Sequence, residues 1–496
     1  MGLERFSVAD HQPHAPGYIL YIAAGRVFQA ILRDPNSALV ALSLLGGAGA
    51  VAGIYLVGRS IFDRATGLVA ALLLLFSPIA WFYSEIALSY SLALLLMIIA
   101  TWFIYQLVFN KRYPIASAVV VGIVAGFRPD VLIFMGPFWL YGTLRMGRKK
   151  MLLSWAVITV VVLGWLVPLM YTQGGIAEYR QITNDQYVSG VRPSSVFADG
   201  SVAFVTNAKR VLQAVFWMFG LASVALLFPA GLFLAPKKLK GERIKILFLL
   251  MMLMPAFVFF LFFLFDPLGY LLVYVAPLLL LAARGFSAFA TWVRENMESA
   301  GKTAAGAENK TNAFRGWAFL SIPLILVAAF NSYLFIFGAD IDWSLPTTGP
   351  LSRVFETYSA GGIRNADGDL RSTVDAIKKY NPRNVVLVTD IEPFSPFIAD
   401  WRRLMYYLPE YNVIMVKADP WPGFMSGHEH TYSKSGKTVV PIPDNAVDML
   451  LLENHPPEAV TTGITAVDSK GTGLVISMIP LPSGGGLSVG NYKFIR

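Results

Sequence analysis

Residues 113–144 read YPIASAVVVGIVAGFRPDVLIFMGPFWLYGTL, two apolar runs joined by Arg128, Pro129 and Asp130. The first run, Tyr113–Phe127, has 15 residues and the second, Val131–Leu144, has 14. As α-helices they would rise about 21–22 Å, against roughly 30 Å for the hydrocarbon core of a bilayer. The turn between them is therefore expected below a membrane surface, inside a cavity. Charged side chains at such depth are expensive and mark function by default. An arginine there suits a lipid-linked phosphate. The alternative is a structural Arg128–Asp130 pair that closes the turn.

The rest of the chain supports a membrane setting. Of 496 residues, 55% are hydrophobic and only 14% are charged, where a soluble chain carries roughly 25% charge. The net charge of +9 could suggest nucleic acid. The basic residues instead cluster in short loops between apolar runs, as topology control requires. Cysteine is absent, which excludes disulfides and thiolate metal sites and leaves the redox compartment open.

Gly17–Leu32 is apolar but interrupted by Arg26, and is expected to lie at the membrane interface. Candidate spans are Asn36–Val57, Thr66–Tyr83, Ile86–Phe109, Tyr113–Phe127, Val131–Leu144, Met151–Tyr171, Asn207–Ala235, Ile244–Phe265, Leu268–Ala283 and Phe314–Gly338. The Gly and Ala content of the first suggests close helix packing. One set of alternate loops holds eighteen basic residues and the other five, so the first set is cytoplasmic. The Arg128 turn, the Tyr83–Glu85 turn, the loop Thr172–Thr206 and the C-terminal region then face outward. Met1–Tyr18 lacks the pattern of a cleavable leader. Either this short tail crosses unaided or a first helix lies upstream; the second is favoured.

Residues 1–338 thus form a transmembrane domain, with a cytoplasmic connection at Arg284–Arg315, Ala- and Gly-rich at its centre. Residues 339–496 read as a soluble domain. Strands are expected at Asn384–Thr389, Asn412–Lys417, Asp448–Glu453 and Gly473–Ile479, with helices at Asp369–Tyr380 and Phe394–Leu408. That alternation predicts a small α/β fold. The whole is an α-helical polytopic membrane bundle of about ten spans with a C-terminal soluble α/β domain.

Four further groups could carry chemistry. The loop Asp10–Tyr18 holds His11 and His14, stiffened by Pro13 and Pro16; histidine can bind phosphate or move protons near neutral pH. The bland reading is a polar tail. Glu85 lies between two apolar spans and is either functional or an interfacial turn residue. The loop Glu178–Asp199 exceeds a plain connector. Trp401–Tyr411 mixes aromatic and basic residues, as sugar or headgroup sites do, though a helix packing its own domain explains it as well. No triad with metal-ligand spacing is evident.

The order of features, a His-Pro loop, Gly17 Tyr18, an interfacial helix, a Gly/Ala-rich span, Gly58 to Phe62 and then Ser77 Pro78, resembles the GT-C superfamily of integral-membrane glycosyltransferases. Within it the resemblance is to the family of protein O-mannosyltransferases and aminoarabinose transferases, over roughly residues 1–170. It implies transfer of a sugar from a polyprenyl-phosphate carrier to a glycan, lipid or protein acceptor on the outer face of the cytoplasmic membrane. Such enzymes carry a general base in the first outer loop, after a first helix that this sequence lacks. The resemblance makes Asp10 and Glu85 the candidate catalytic acids. His11, His14, Tyr18, Arg128 and Asp130 become candidates for the donor phosphate and sugar. No cofactor is expected, with a divalent cation left open, and no nucleic acid. A transporter or flippase of lipid-linked sugars is the alternative, since it too would use buried charge.

Overall fold

The computed structural model describes residues 2–9, 12–13, 15–220, 241–263, 268–304, 310–340, 357–391, 401–417, 431–433, 439–453, 463–467, 473–482, 486–489 and 492–495. The chain forms two compact units. One is Pro16–Ile176 with Arg192–Ala360; the other is Met1–Ala15 with Ala177–Val191 and Gly361–Arg496.

The first unit is helical. Its elements begin with α1 (Ile19–Leu32), α2 (Pro35–Ile61), α3 (Arg64–Leu75), α4 (Pro78–Glu85) and α5 (Tyr90–Asn110). Then come α6 (Pro114–Phe127), α7 (Asp130–Phe134), α8 (Gly136–Leu144) and α9 (Arg148–Thr172). The next helix, α10 (Ile176–Gln186), falls in the other unit from Ala177 on, and the first unit resumes with α11 (Val196–Phe219), α12 (Arg243–Phe262), α13 (Gly269–Tyr274), α14 (Ala276–Ala304) and α15 (Lys310–Phe337). Local chemistry sets several ends. The Asp34 carboxylate accepts from the Ser37 N–H at 2.7 Å, with Pro35 opening α2. Asp63 accepts from the Thr66 N–H at 2.7 Å to cap α3. Both are side-chain oxygens meeting orphan amides of a first turn.

Among the described residues, α2, α5, α9 and α12 are long and apolar enough to cross a bilayer. The run expected as one span over Thr66–Tyr83 is instead a bent pair, α3 and α4, turning by 61°. Ser77 and Pro78 cause the break. Proline cannot donate into the helix, and the Ser77 hydroxyl caps α4 at the Ala80 N–H and donates to the Met218 carbonyl at 2.6 Å. Val131–Leu144 is likewise split at Met135, before Pro137, into α7 and α8. Leu268–Ala283 is split at Val275 between α13 and α14. The segment read as a connection, Arg284–Arg315, is helical over 284–304 and again from 310. Alanine and lysine favour helix as much as they suit a linker. The expected span Asn207–Ala235 begins inside α11, and its residues 221–235 lie outside the described residues.

Helix α2 packs closely on α5, as its small residues predict. A Cβ on Gly46 would fall 2.5 Å from the Leu92 nitrogen, so only glycine allows this approach. The core around them is apolar and includes Ile54, Leu74, Ile79, Leu94 and Met97, all buried. The α3–α4 break is held from α15. The Asn331 Nδ2 donates to the Phe76 carbonyl at 2.8 Å and to the Phe219 carbonyl at 3.0 Å, and Asn331 is buried. Those carbonyls end α3 and α11 and have no intrahelical donor. Replacing Asn331 by Leu should cost about 1–3 kcal/mol, the penalty of stranding buried polar groups, read as a lower melting temperature in detergent. Unchanged melting would show that other donors reach those carbonyls.

The second unit carries a six-stranded sheet in the order β3-β2-β1-β5-β7-β6. Its strands are β1 (Val385–Ile391), β2 (Asn412–Lys417), β3 (Thr431–Ser433), β5 (Asp448–Glu453), β6 (Gly463–Val467) and β7 (Gly473–Pro480). β1 runs parallel to β2 and β5, while β7 is antiparallel to β5 and β6. Alternate residues face opposite sides. Leu387, Met415 and Leu450 pack with Ile377, Leu404 and Leu408 on one face. Val388, Ile414 and Leu451 pack with Val440 and Phe494 on the other. The four longest strands match the expected ones. The helices α16 (Ala360–Ile377) and α17 (Trp401–Tyr407) overlap the expected pair.

Candidate functional site

Arg128 follows α6 with extended backbone, φ −146°, and Pro129 then opens α7. This turn folds the guanidinium back onto the next carboxylate. Arg128 Nε donates to Asp130 Oδ1 at 3.2 Å, and Nη2 donates to Oδ2 at 3.1 Å. The arginine side chain is 3% exposed and the aspartate 28%. Asp130 Oδ2 also accepts from the Tyr274 hydroxyl at 2.5 Å. The turn is thus closed by the Arg128–Asp130 pair, with the guanidinium buried.

Three aromatic rings complete the surroundings. The Arg128 guanidinium carbon lies 5.7 Å from the Tyr18 ring centroid, 5.6 Å from that of Tyr90 and 5.3 Å from that of Tyr270. All are within the roughly 6 Å over which a ring quadrupole attracts a cation. Each tyrosine arrives by a different local device. Tyr18 sits at φ 34° after Gly17 at φ 108°, a left-handed pair that is costly for tyrosine and persists only where packing enforces it. The packing is visible: a Cβ on Gly126 would strike Leu20 of α1 at 2.5 Å, so this glycine lets α1 approach α6 and the turn beyond it. Tyr90 is the first residue of α5. Tyr270 and Tyr274 are one helical turn apart on the Gly269–Tyr274 helix and so share a face. The Tyr83 hydroxyl accepts from the Gly269 N–H at 2.9 Å, and its ring packs edge-on against Tyr90.

An arginine has five N–H donors, and Asp130 takes two of them. Among the described residues, no side chain or carbonyl accepts from Arg128 Nη1. The guanidinium is thereby fixed in plane and direction with donors left for another anion. The arrangement can hold a phosphate oxygen; Asp130 orients the guanidinium, and Tyr274 orients Asp130.

Tyr18, Arg128 and Asp130 are therefore brought together, as the candidate set requires. Glu85 ends α4 as an exposed residue, two positions from Tyr83. Asp10, His11 and His14 lie outside the described residues. Tyr90, Tyr270 and Tyr274 were not singled out by the sequence. The Tyr270–Tyr274 spacing was the available signal, hidden because tyrosine in an apolar run reads equally as an interfacial anchor. Among the described residues no three His, Asp or Glu side chains converge.

The Alg9-like mannosyltransferase family matches residues 19–173, which include Glu85, Tyr90, Arg128 and Asp130. The crystal structure of ArnT from Cupriavidus metallidurans in the apo state aligns with a TM-score of 0.52 at 14% identity, covering 94% of this chain and 88% of that one. The chain has the GT-C fold. The structure of the same ArnT bound to undecaprenyl phosphate aligns with a TM-score of 0.51 at 14% identity, over 92% of this chain and 87% of that one. No curated protein matches the sequence. A GT-C fold and several membrane-length helices make the chain a multi-pass membrane protein. Within this GT-C bundle the Arg128 turn follows a helix too short to cross, which leaves its charges among helices.

Proposed function

We propose that this chain transfers a sugar from a polyprenyl-phosphate carrier to an acceptor hydroxyl, with Arg128 holding the carrier phosphate. One observation carries the reading: a buried guanidinium, locked by Asp130 and three tyrosines, keeps donors directed away from its own counter-ion. The family match and the ArnT likeness support glycosyl transfer, and the ArnT complex supports an isoprenoid phosphate as the carrier.

The chemistry follows from charge. As the bond from the sugar to the phosphate oxygen breaks, its electron pair stays on that oxygen. The Arg128 donors stabilise the growing charge in a site with little water. The acceptor oxygen forms the new bond to the sugar and gives its proton to a carboxylate. Glu85 and Asp10 are the proposed bases; His11 and His14 are proposed to assist the phosphate.

The test supplies purified protein with a polyprenyl-phosphate sugar and measures released polyprenyl phosphate. Release is expected. Movement of the sugar lipid across vesicles without release would contradict transfer and favour a flippase. The distribution of basic loops supports an outward site in the cytoplasmic membrane, with the C-terminal domain on the same side. Because the chain has no cysteine, single replacements report on topology cleanly. Cysteine at Asn184 should react with an impermeant maleimide from outside, and cysteine at Gly147 should not. The reverse pattern would place the site on the inner face.

A further inference from the structure

A cavity of about 1030 Å³ lies between α3, α14 and α15. That is at the upper end of roughly 300–1,000 Å³ typical of small-molecule sites. Leu68, Leu72, Leu324 and Ile325 form much of its wall. Leu68 is 54% and Ile325 62% exposed, so the cavity opens sideways, where the bilayer would be. Among the described residues, Arg64 is the single charged one lining it. Two hydroxyl residues of α14, Ser287 and Thr291, also line it, and the buried Ser287 Oγ has no hydrogen-bond partner among the described residues.

Among the described residues, the neighbouring charges are engaged with one another and not with Arg64. Asp63 is engaged by the Thr66 N–H and by Arg284 Nη1 at 3.5 Å, and Arg284 Nε donates to Glu242 at 2.7 Å. Arg64 makes no ion pair among the described residues. The site is also remote from Arg128. Ser60, just before α3, accepts from Trp102 and Gln106 late in α5, whereas Arg128 meets Tyr90 at its start. Tyr90 and the Trp102–Gln106 stretch lie 12 to 16 residues apart on α5, a rise of about 18–24 Å. A carrier whose phosphate rests on Arg128 cannot also place it on Arg64.

We propose that this cavity seats an acyl chain of an anionic phospholipid whose phosphate rests on Arg64. The apolar wall is three turns of α3 deep, about 18 Å, which suits a fatty chain. The cation at its mouth selects charge. The occupant is committed to a bilayer lipid because the wall faces the side where such lipids lie.

The test uses the whole protein in detergent with equimolar phosphatidylglycerol and phosphatidylcholine, read by native mass spectrometry and by melting temperature. The wild type is expected to retain one phosphatidylglycerol in preference to phosphatidylcholine, and to melt higher with it. Arg64→Gln should lower that retention about tenfold. Leu68→Trp, at an exposed wall position, should lower retention of both lipids. Excess polyprenyl phosphate should leave the phosphatidylglycerol adduct in place. Equal retention or equal melting with the two lipids, full retention by Arg64→Gln, or displacement by polyprenyl phosphate would each overturn the proposal.

Discussion

Arg128→Ala should lower polyprenyl-phosphate release by at least about a hundredfold. Removing one preorganised donor from a site of developing negative charge typically costs about 10²–10³ in rate. Arg128 brings a full charge as well, and the described residues offer no second cation around it. The alanine variant also strands Asp130 in the bundle, and breaking a buried pair can cost about 3–5 kcal/mol. Loss of activity through misfolding must therefore be separated from loss of chemistry. Arg128→Lys keeps the charge but loses the bidentate fork; it should fold and retain more activity than alanine, while remaining well below wild type. The double variant Arg128→Gln with Asp130→Asn removes both charges, should recover stability, and should stay inactive. A stable double variant with wild-type release would remove Arg128 from the site.

The second large effect is on stability. Asp130→Asn leaves the Arg128 guanidinium, 3% exposed, without its counter-charge. Asp130 itself is 28% exposed, so the cost is expected near the low end for a broken pair, about 3 kcal/mol. Added polyprenyl phosphate should then stabilise this variant more than wild type. In the variant the ligand supplies the missing anion, and stabilisation grows with affinity for the folded state. Melting curves with and without polyprenyl phosphate decide this. A variant as stable as wild type, or one gaining no more from the carrier, would show that Asp130 and the phosphate do not share the guanidinium.

Much of this was legible in the chain. Arg128 and Asp130 stood out because charge interrupts two apolar runs too short to cross, and spacing of two residues lets a turn pair them. The sheet was legible in its longest strands, where Val385 to Val388 and Met449 to Leu452 form unbroken apolar runs typical of buried strands. The short strands β3 and β6 were not, because so few residues carry no period. Helix breaks were harder. Ser77 Pro78 and Gly136 Pro137 carry the local signals of a new helix, but apolar composition on both sides masks them in a hydropathy reading. The tyrosines around Arg128 come from α1, α5 and the Gly269–Tyr274 helix, and only tertiary packing brings them together. Gly126 shows why: its meaning lies in the approach of Leu20 from another helix.

The most direct measurement is a density map of the protein with polyprenyl phosphate bound. A phosphate oxygen is expected within hydrogen-bond distance of Arg128 Nη1, about 2.7–3.2 Å, with the tyrosines still around the guanidinium. A phosphate bound elsewhere, with the Arg128–Asp130 pair undisturbed and out of contact with it, would contradict the account.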